Sequence, residues 1–140
     1  MEIKTKTILD DNFKILAQTE DMIVGYLFET AYIVEKRTSN EIVLGDFYGE
    51  ATFALISSKE NWCLVGGESL ILWIQGDIFP IEISDIYEMR QIDKNIVEIL
   101  TDPWSEKSGI WQLDVIKRKI DFIREFRDYK DKKYSEKVDW

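Results

Sequence analysis

Short segments rich in β-branched and aromatic residues recur along the first hundred residues, and clusters of turn-forming residues separate them. The segments are FKILAQ, MIVGYLF, AYIVEK, EIVLGDF, ATFALI, WCLV, SLILWIQ, IFPIEI and NIVEIL. Strands of four to eight residues at close intervals are typical of antiparallel sheets, whereas a βαβ architecture needs helical stretches between its strands. The sequence therefore predicts a mainly β fold, a single antiparallel domain of successive hairpins.

The size and composition of the chain are consistent with one folded unit. The chain has 140 residues, of which 45% are hydrophobic and 13% aromatic. That length is typical of one domain with one substantial core. Charged residues make up 32% of the chain, but the apolar content is too high for a disordered protein. Residues 1–140 are accordingly predicted to form a single domain.

A central hairpin is predicted in the stretch NWCLVGGESLILWIQGD, residues 61–77. Glycine reaches the positive φ angles of primed turns, so Val65-Gly66-Gly67-Glu68 favours a two-residue turn. That turn would pair Trp62 with Ile71 and bring Trp62 close to Trp73 on the same face. Both faces of the second strand are largely apolar, which predicts that the hairpin is covered on both sides.

The C-terminal third allows two interpretations. Residues 111–129 contain no Gly, Pro or Asn, and Ile116, Ile120 and Ile123 follow the spacing of a helical stripe. The alternative is a hairpin with a turn near residues 117–119 and two sets of inward side chains: Trp111, Leu113 and Val115, then Ile120, Phe122 and Phe126. A C-terminal helix therefore remains an alternative within the β fold. At the end of the chain, burial of Trp140 would hold the charged tail in place.

The negative charge is concentrated in the middle of the chain. The net charge is −9, and residues 41–105 hold twelve anions against only Lys59, Arg90 and Lys94. Such a surface repels nucleic acids and anionic membranes and attracts a basic partner. Acidity also keeps many proteins soluble without any binding role. The chain shows no signal peptide, no run of eighteen apolar residues and a single cysteine, so we expect a cytoplasmic protein.

The chain lacks the residues that most catalytic mechanisms require. With no histidine and only Cys63, the chain has no Ser-His-Asp or Cys-His arrangement and no ordinary zinc site. It also lacks a P-loop, a Rossmann glycine pattern and an EF-hand loop. A carboxylate pair such as Asp46 and Glu50 could serve as acid and base or bind a cation. Because 27 acidic residues bring some carboxylates together by chance, we expect no catalysis, no metal and no cofactor, and Cys63 to be a core residue.

Five tryptophans raise a second function class, carbohydrate binding. An exposed Trp on a β-sheet can stack against a sugar ring, which would require Trp73 or Trp104 to lie in a shallow groove. Trp104 follows Asp102-Pro103 among polar residues. It could be an exposed aromatic anchor, or it could pack back over the sheet.

The run GDFYGEATFALISSKENWCLVGGESLILW, residues 45–73, contains Gly-Asp-x-Tyr-Gly-Glu followed by Trp-Cys-x-Val-Gly-Gly. It resembles segments of small bacterial immunity proteins that are encoded beside polymorphic or contact-dependent growth-inhibition toxins. The resemblance implies a cytoplasmic protein that binds and blocks its cognate toxin without catalysis. The resemblance also implies that the partner belongs to a group of toxins that are often nucleases with basic substrate clefts. No functional residue transfers from these families, since their folds are diverse.

Charge complementarity is compatible, on separate grounds, with the basic partner and the nuclease cleft that the resemblance implies. Carboxylates in a cleft built for phosphates gain fast association from steering and discrimination from complementary charge. The acidic stretch supplies the candidate partner-binding residues, with two aromatic residues as anchors. The set is Glu41, Asp46, Tyr48, Glu50, Glu60, Glu68, Asp77 and Trp104.

Overall fold

The computed structural model describes residues 9–47, 51–135 and 137–140, and these form three four-stranded antiparallel sheets. The mainly β prediction is confirmed, and the described residues contain no α-helix, hence none that could cross a membrane. The first sheet contains β1 (Lys14–Gln18), β2 (Met22–Leu27), β3 (Thr30–Glu35) and β4 (Glu41–Asp46). The middle sheet contains β5 (Phe53–Ile56), β6 (Trp62–Gly66), β7 (Leu70–Ile74) and β8 (Asp77–Ile81). The third contains β9 (Ile86–Asp93), β10 (Ile96–Thr101), β11 (Gly109–Asp114) and β12 (Lys119–Glu125).

Each sheet is a simple meander in which every strand pairs with the next one along the chain. Short connections make this arrangement natural, because antiparallel neighbours need only a tight turn. The β7–β8 turn shows how local sequence sets the geometry: Ile74 pairs with Asp77, and Gln75 and Gly76 both have positive φ, 51° and 84°. Positive φ at both central positions is the signature of a type I′ hairpin turn. The recurrent hairpins of the sequence thus form three successive sheets.

The middle sheet is covered on both faces, as the two-sided apolar pattern of residues 69–75 predicts. Leu64, Leu70 and Leu72 belong to a core shared with the third sheet, where Val97 and Leu113 pack. The alternate residues of the same hairpin, Cys63, Val65, Ile71 and Trp73, belong to a second core shared with the first sheet. The molecule therefore has three sheet layers and two cores between them.

The Gly-Gly turn prediction is wrong. The structure pairs Gly66 with Leu70 and Trp62 with Ile74, so the loop is residues 67–69 and Gly66 is a strand residue. A Cβ at Gly66 would lie 2.9 Å from the Phe53 ring, so this glycine serves the close approach of a neighbouring aromatic side chain. The observed pairing of Trp62 with Ile74 differs by three residues from the predicted pairing with Ile71. Because side chains alternate between the two faces of a strand, an odd shift in register moves each side chain to the opposite face relative to its partner strand. Trp62 and Trp73 consequently face different cores instead of meeting.

The C-terminal third forms the hairpin alternative and not the helix. After β11, the Asp114 carboxylate accepts hydrogen bonds from the amides of Ile116 and Lys117, at 3.0 and 3.1 Å. This Asx-type turn supplies the reversal that neither Gly nor Pro provides here. Ile116 and Ile123 are about half exposed, so the helical stripe is not a core stripe. Trp111 and Phe122 face each other across β11 and β12 with ring centroids 5.1 Å apart.

The tail covers the outer face of the third sheet. Val138 is buried there beside Leu100, Ile110 and Phe126. Trp140 is half-buried, and its indole Nε1 donates to Glu88 Oε2 at 2.8 Å. The Arg90 guanidinium lies 3.9 Å from the centroid of the Trp140 ring. It also donates a hydrogen bond to the main-chain oxygen of Trp140 at 2.6 Å. These contacts tie the tail down through Trp140 and close the third sheet's outer face.

The thiol of Cys63 lies fully buried between the first and middle sheets, where burial raises its pKa from 9.0 to about 12. A raised pKa keeps the thiol protonated, and only the thiolate is nucleophilic. We therefore expect iodoacetamide at pH 8 to modify the unfolded chain but not the folded chain, as followed by mass spectrometry. Between pH 9.0 and 12 the unfolded chain loses the thiol proton while the folded chain keeps it, so the free energy of unfolding falls as the pH rises through this range. Rapid labelling of the folded protein at pH 8 would contradict a closed core.

Candidate functional site

Alternate loops of the meanders lie at opposite ends of the molecule. One end carries the connections β1–β2, β3–β4, β5–β6, β7–β8, β9–β10 and β11–β12, and the other end carries the rest. The sheets are aligned at the first end, because Thr19 Oγ1 donates to Glu60 Oε2 at 2.9 Å and Trp62 Nε1 donates to the Lys94 carbonyl at 3.4 Å. At the second end, the Asp102 amide donates to the Asp85 carbonyl at 2.8 Å. Antiparallel topology thus sorts the loops into two groups.

The second end is strongly acidic, and we call it the acidic end. Its loops are residues 28–29, 47–52, 67–69, 82–85 and 102–108. Their described residues include six acids and one base: Glu29, Glu68, Glu82, Asp85, Asp102, Glu106 and Lys107. All seven side chains are exposed, and the net charge is −5.

The opposite end has a different charge balance. Its loops, residues 19–21, 36–40, 57–61, 75–76, 94–95 and 115–118, contain three acids and six bases, for a net charge of +3. When the first and last residues of the strands are added, the balance becomes −1 at this end and −6 at the acidic end. Within these loops and strand ends the negative charge is therefore polarised along the strand direction, and the tail places Arg127 near Glu106 of the acidic end. Such a polarised distribution gives a long-range field with a preferred approach.

Hydrogen bonds hold the β10–β11 loop of the acidic end in place. The buried Thr101 hydroxyl accepts from the Gly109 amide at 3.0 Å, and the buried Ser108 hydroxyl donates to the Thr101 carbonyl at 3.2 Å. The Asp102 carboxylate accepts from the Trp104 amide at 3.0 Å. Such local bonds satisfy the loop backbone and fix the direction of its side chains. The carboxylates of this loop therefore project from a preorganised backbone.

A cleft of about 290 Å³ opens between the β8–β9 and β10–β11 loops. Its lining includes three carboxylates and one ammonium group, those of Glu82, Asp85, Asp102 and Lys107, and the Trp111 side chain provides an aromatic wall. Carboxylates can accept hydrogen bonds from guanidinium or ammonium groups, and an aromatic ring can stack on a guanidinium. The arrangement is chemically suited to a cationic side chain.

The predicted partner-binding residues are divided between the two ends. Asp46 and Glu68 lie at the acidic end, and Asp46 Oδ1 accepts from the Thr30 hydroxyl at 2.6 Å. Glu41, Glu60 and Asp77 lie at or beside the loops of the opposite end. Tyr48 and Glu50 lie outside the described residues, as does half of the Asp46–Glu50 pair. The predicted set therefore does not form one patch.

Trp104 packs back over the third sheet and is half-buried. Its ring meets Tyr87 and Tyr129 edge-on, with centroids 5.5 and 6.3 Å apart. Tyr134 lies over it at 5.0 Å and is 74% exposed. The exposed aromatic surface of this cluster is therefore that of Tyr134, which packs on Trp104.

Sequence reasoning missed five carboxylates of the acidic end: Glu29, Glu82, Asp85, Asp102 and Glu106. The available signal was the alternation of loops. In a meander, every second connection shares an end, so charges summed over alternate turn clusters would have revealed the polarity. The most acidic continuous stretch, residues 41–105, instead contains loops from both ends.

The rival functions find limited support in these positions. Trp104 is half-buried under Tyr134, and Trp73 is half-buried in the floor of a cleft between the first and middle sheets, whereas the carbohydrate interpretation requires one of these rings to be exposed in a shallow groove. Within the described residues, no group of three or more His, Cys, Asp or Glu side chains could hold a metal ion. Arg127 Nε donates a hydrogen bond to Glu125 Oε2 at 2.8 Å, and this bond lowers the pKa of the Glu125 carboxyl group.

The fold and the charge distribution define a three-layer antiparallel β protein with one acidic end. Comparison of the chain with protein-family models gives no match, and comparison with curated proteins gives none. Its function is therefore inferred below from surface chemistry.

Proposed function

We propose that this chain is a non-catalytic immunity protein that neutralises a basic toxin protein by docking its acidic end. The observation that carries the proposal is the concentration of six exposed carboxylates against one lysine in loops that share an end. The resemblance of residues 45–73 to immunity proteins suggests the class of partner. We place this interaction in the bacterial cytoplasm, where a toxin must be blocked.

Electrostatics would act on the approach of the partner before contact. A surface with one acidic end attracts a cationic protein and orients it, which can raise association rates by about 10–10³-fold at low salt. Like-charged partners are repelled at the same time, so the field also contributes specificity. A nuclease cleft lined by Lys and Arg has the complementary charge.

Contact would then depend on a few anchors. Arg is enriched in the centres of interfaces, and carboxylates can bind it through two parallel hydrogen bonds. The cleft beside Glu82, Asp85 and Asp102 can receive one such side chain from the toxin. The exposed ring of Tyr134 lies over Trp104 in the neighbouring loop and provides apolar contact area next to the carboxylates.

The salt dependence of association tests this proposal. The product of a toxin-like gene encoded beside this chain is the first partner to purify, and stopped-flow fluorescence measures its association rate. We expect the rate to fall by at least about tenfold between 0.02 and 0.5 M salt, because the Debye length shortens several-fold over this range. An association rate that does not change with ionic strength would contradict docking through the acidic end. Failure of the two proteins to associate would remove the proposed partner class.

A further inference from the structure

A second cleft, of about 480 Å³, opens between the first and middle sheets at the end opposite to the acidic end. Its floor is apolar: Met22 and Ile33 are buried, and Ile42 and Trp73 are half-buried. Apolar clefts of about 300–1,000 Å³ with a few polar groups are typical small-molecule sites. Its volume and its floor suit the side chain of a small ligand.

The rim of this cleft carries charges of both signs. Arg37 and Lys59 provide two cations, and Asp21, Glu35 and Glu60 provide three carboxylates. Within the described residues, the side chains of Arg37, Lys59 and Asp21 make no hydrogen bond or ion pair. Glu35 uses one oxygen to accept from the Thr38 hydroxyl at 3.0 Å, which leaves the other available. Opposite charges at one mouth, with free bonding capacity, favour a ligand that carries both charges.

The loops that form the mouth are held before any ligand arrives. Thr19 Oγ1 donates to Glu60 Oε2 at 2.9 Å, which links the loops of the two sheets across the cleft. The buried Ser57 hydroxyl accepts from the amides of Asn61 and Trp62, at 3.0 and 3.2 Å. Glu60 itself has a φ of 58°, a left-handed conformation that is uncommon for this residue. The mouth of the cleft is therefore held by hydrogen bonds within and between its loops.

We propose that this cleft binds a free α-amino acid with an apolar side chain. The carboxylate of the ligand pairs with Arg37 and Lys59, its ammonium group pairs with Asp21 and Glu35, and its side chain covers the floor beside Trp73. A purely anionic ligand would meet three carboxylates, and an uncharged one would desolvate the rim without compensation. The site lies at the other end of the molecule from the proposed toxin surface, so it is a separate activity.

The test uses phenylalanine and leucine as probes, with the full-length protein and saturation-transfer NMR followed by calorimetry. We expect phenylalanine and leucine to bind with dissociation constants of about 1 mM or lower. Phenylalanine methyl ester and N-acetylphenylalanine should each bind at least about tenfold more weakly, because each lacks one of the two charges. Glucose should give no signal.

Arg37→Gln combined with Lys59→Gln should weaken phenylalanine binding by at least about tenfold, the effect of losing charge-assisted hydrogen bonds. Lys117→Gln combined with Arg118→Gln removes the same charge from another loop of this end and should leave binding unchanged. Both pairs are exposed, although the Arg118 guanidinium lies 4.4 Å from the centroid of the Phe79 ring. Circular dichroism therefore checks that both variants fold. Equal binding by both variants, absence of binding at about 10 mM ligand, or preference for glucose would each overturn the proposal. None of these outcomes depends on the toxin interaction.

Discussion

Replacing Leu72 with alanine is expected to lower the free energy of unfolding by about 2–5 kcal/mol. Leu72 is fully buried in β7, between Leu64 on β6 and Phe79 on β8, and its side chain faces the third sheet. Truncation removes apolar contact area and leaves a cavity at the centre of the layered structure, where neighbouring strands on both sides restrict relaxation. Urea denaturation followed by tryptophan fluorescence measures the change.

The matched control for this substitution is Leu9→Ala. Leu9 is 72% exposed, so the same chemical change should alter the free energy of unfolding by less than about 0.5 kcal/mol. If the two variants unfold at the same urea concentration, β7 is not sandwiched between two layers and the stacking of the sheets described above is incorrect.

The strands were predictable because their signal is local. Segments such as MIVGYLF and NIVEIL combine β-branched or aromatic residues with flanking turn clusters, and each coincides with a strand of the structure to within one residue at either end. The division into three sheets is not local. All the connections are short, so nothing in the sequence marks β4–β5 or β8–β9 as a change of sheet while β6–β7 remains within one. That distinction depends on which apolar faces pack together.

The predictions of strand register and turn type failed where one residue type can serve two structural purposes. Glycine permits a primed turn, and it also permits an aromatic ring to lie against a strand. At Gly66 the ring of Phe53, thirteen positions away in the chain, decides between these uses. At Asp114 the opposite problem occurred, because an Asx turn needs neither glycine nor proline and left the hairpin and helix interpretations unresolved.

The sign of the charge at the candidate site was predictable from the sequence, but the position of the site was not. Composition gave a negative surface, and the window 41–105 gave an acidic excess, yet a window along the chain samples both ends of a meander. Glu68 and Asp77 are nine positions apart and lie at opposite ends, whereas Glu29 and Asp102 share the acidic end despite their separation in sequence. Only the topology relates sequence position to position on the surface.

Neutralising two carboxylates of the acidic end should slow toxin association by about tenfold at low salt. The substitutions are Glu68→Gln and Glu82→Gln, which lie in two loops of this end and have exposed side chains. Removal of two from six negative charges weakens the steering field, which acts mainly on the association rate, while the dissociation rate changes less. Stopped-flow mixing with the neighbouring gene product measures both rates.

Glu20→Gln combined with Asp77→Asn is the matched control, because it changes the net charge by the same amount at the opposite end of the molecule. If overall charge alone attracted the partner, both pairs would slow association equally. If the acidic end directs docking, the control pair should slow association less than the acidic pair at low salt, because its charges lie farther from the interface. At about 0.15 M salt, where the Debye length is about 8 Å, the control pair should reduce the rate by less than about twofold. Equal slowing by the two pairs would therefore reject the acidic end as the docking surface, even if the proteins still bind.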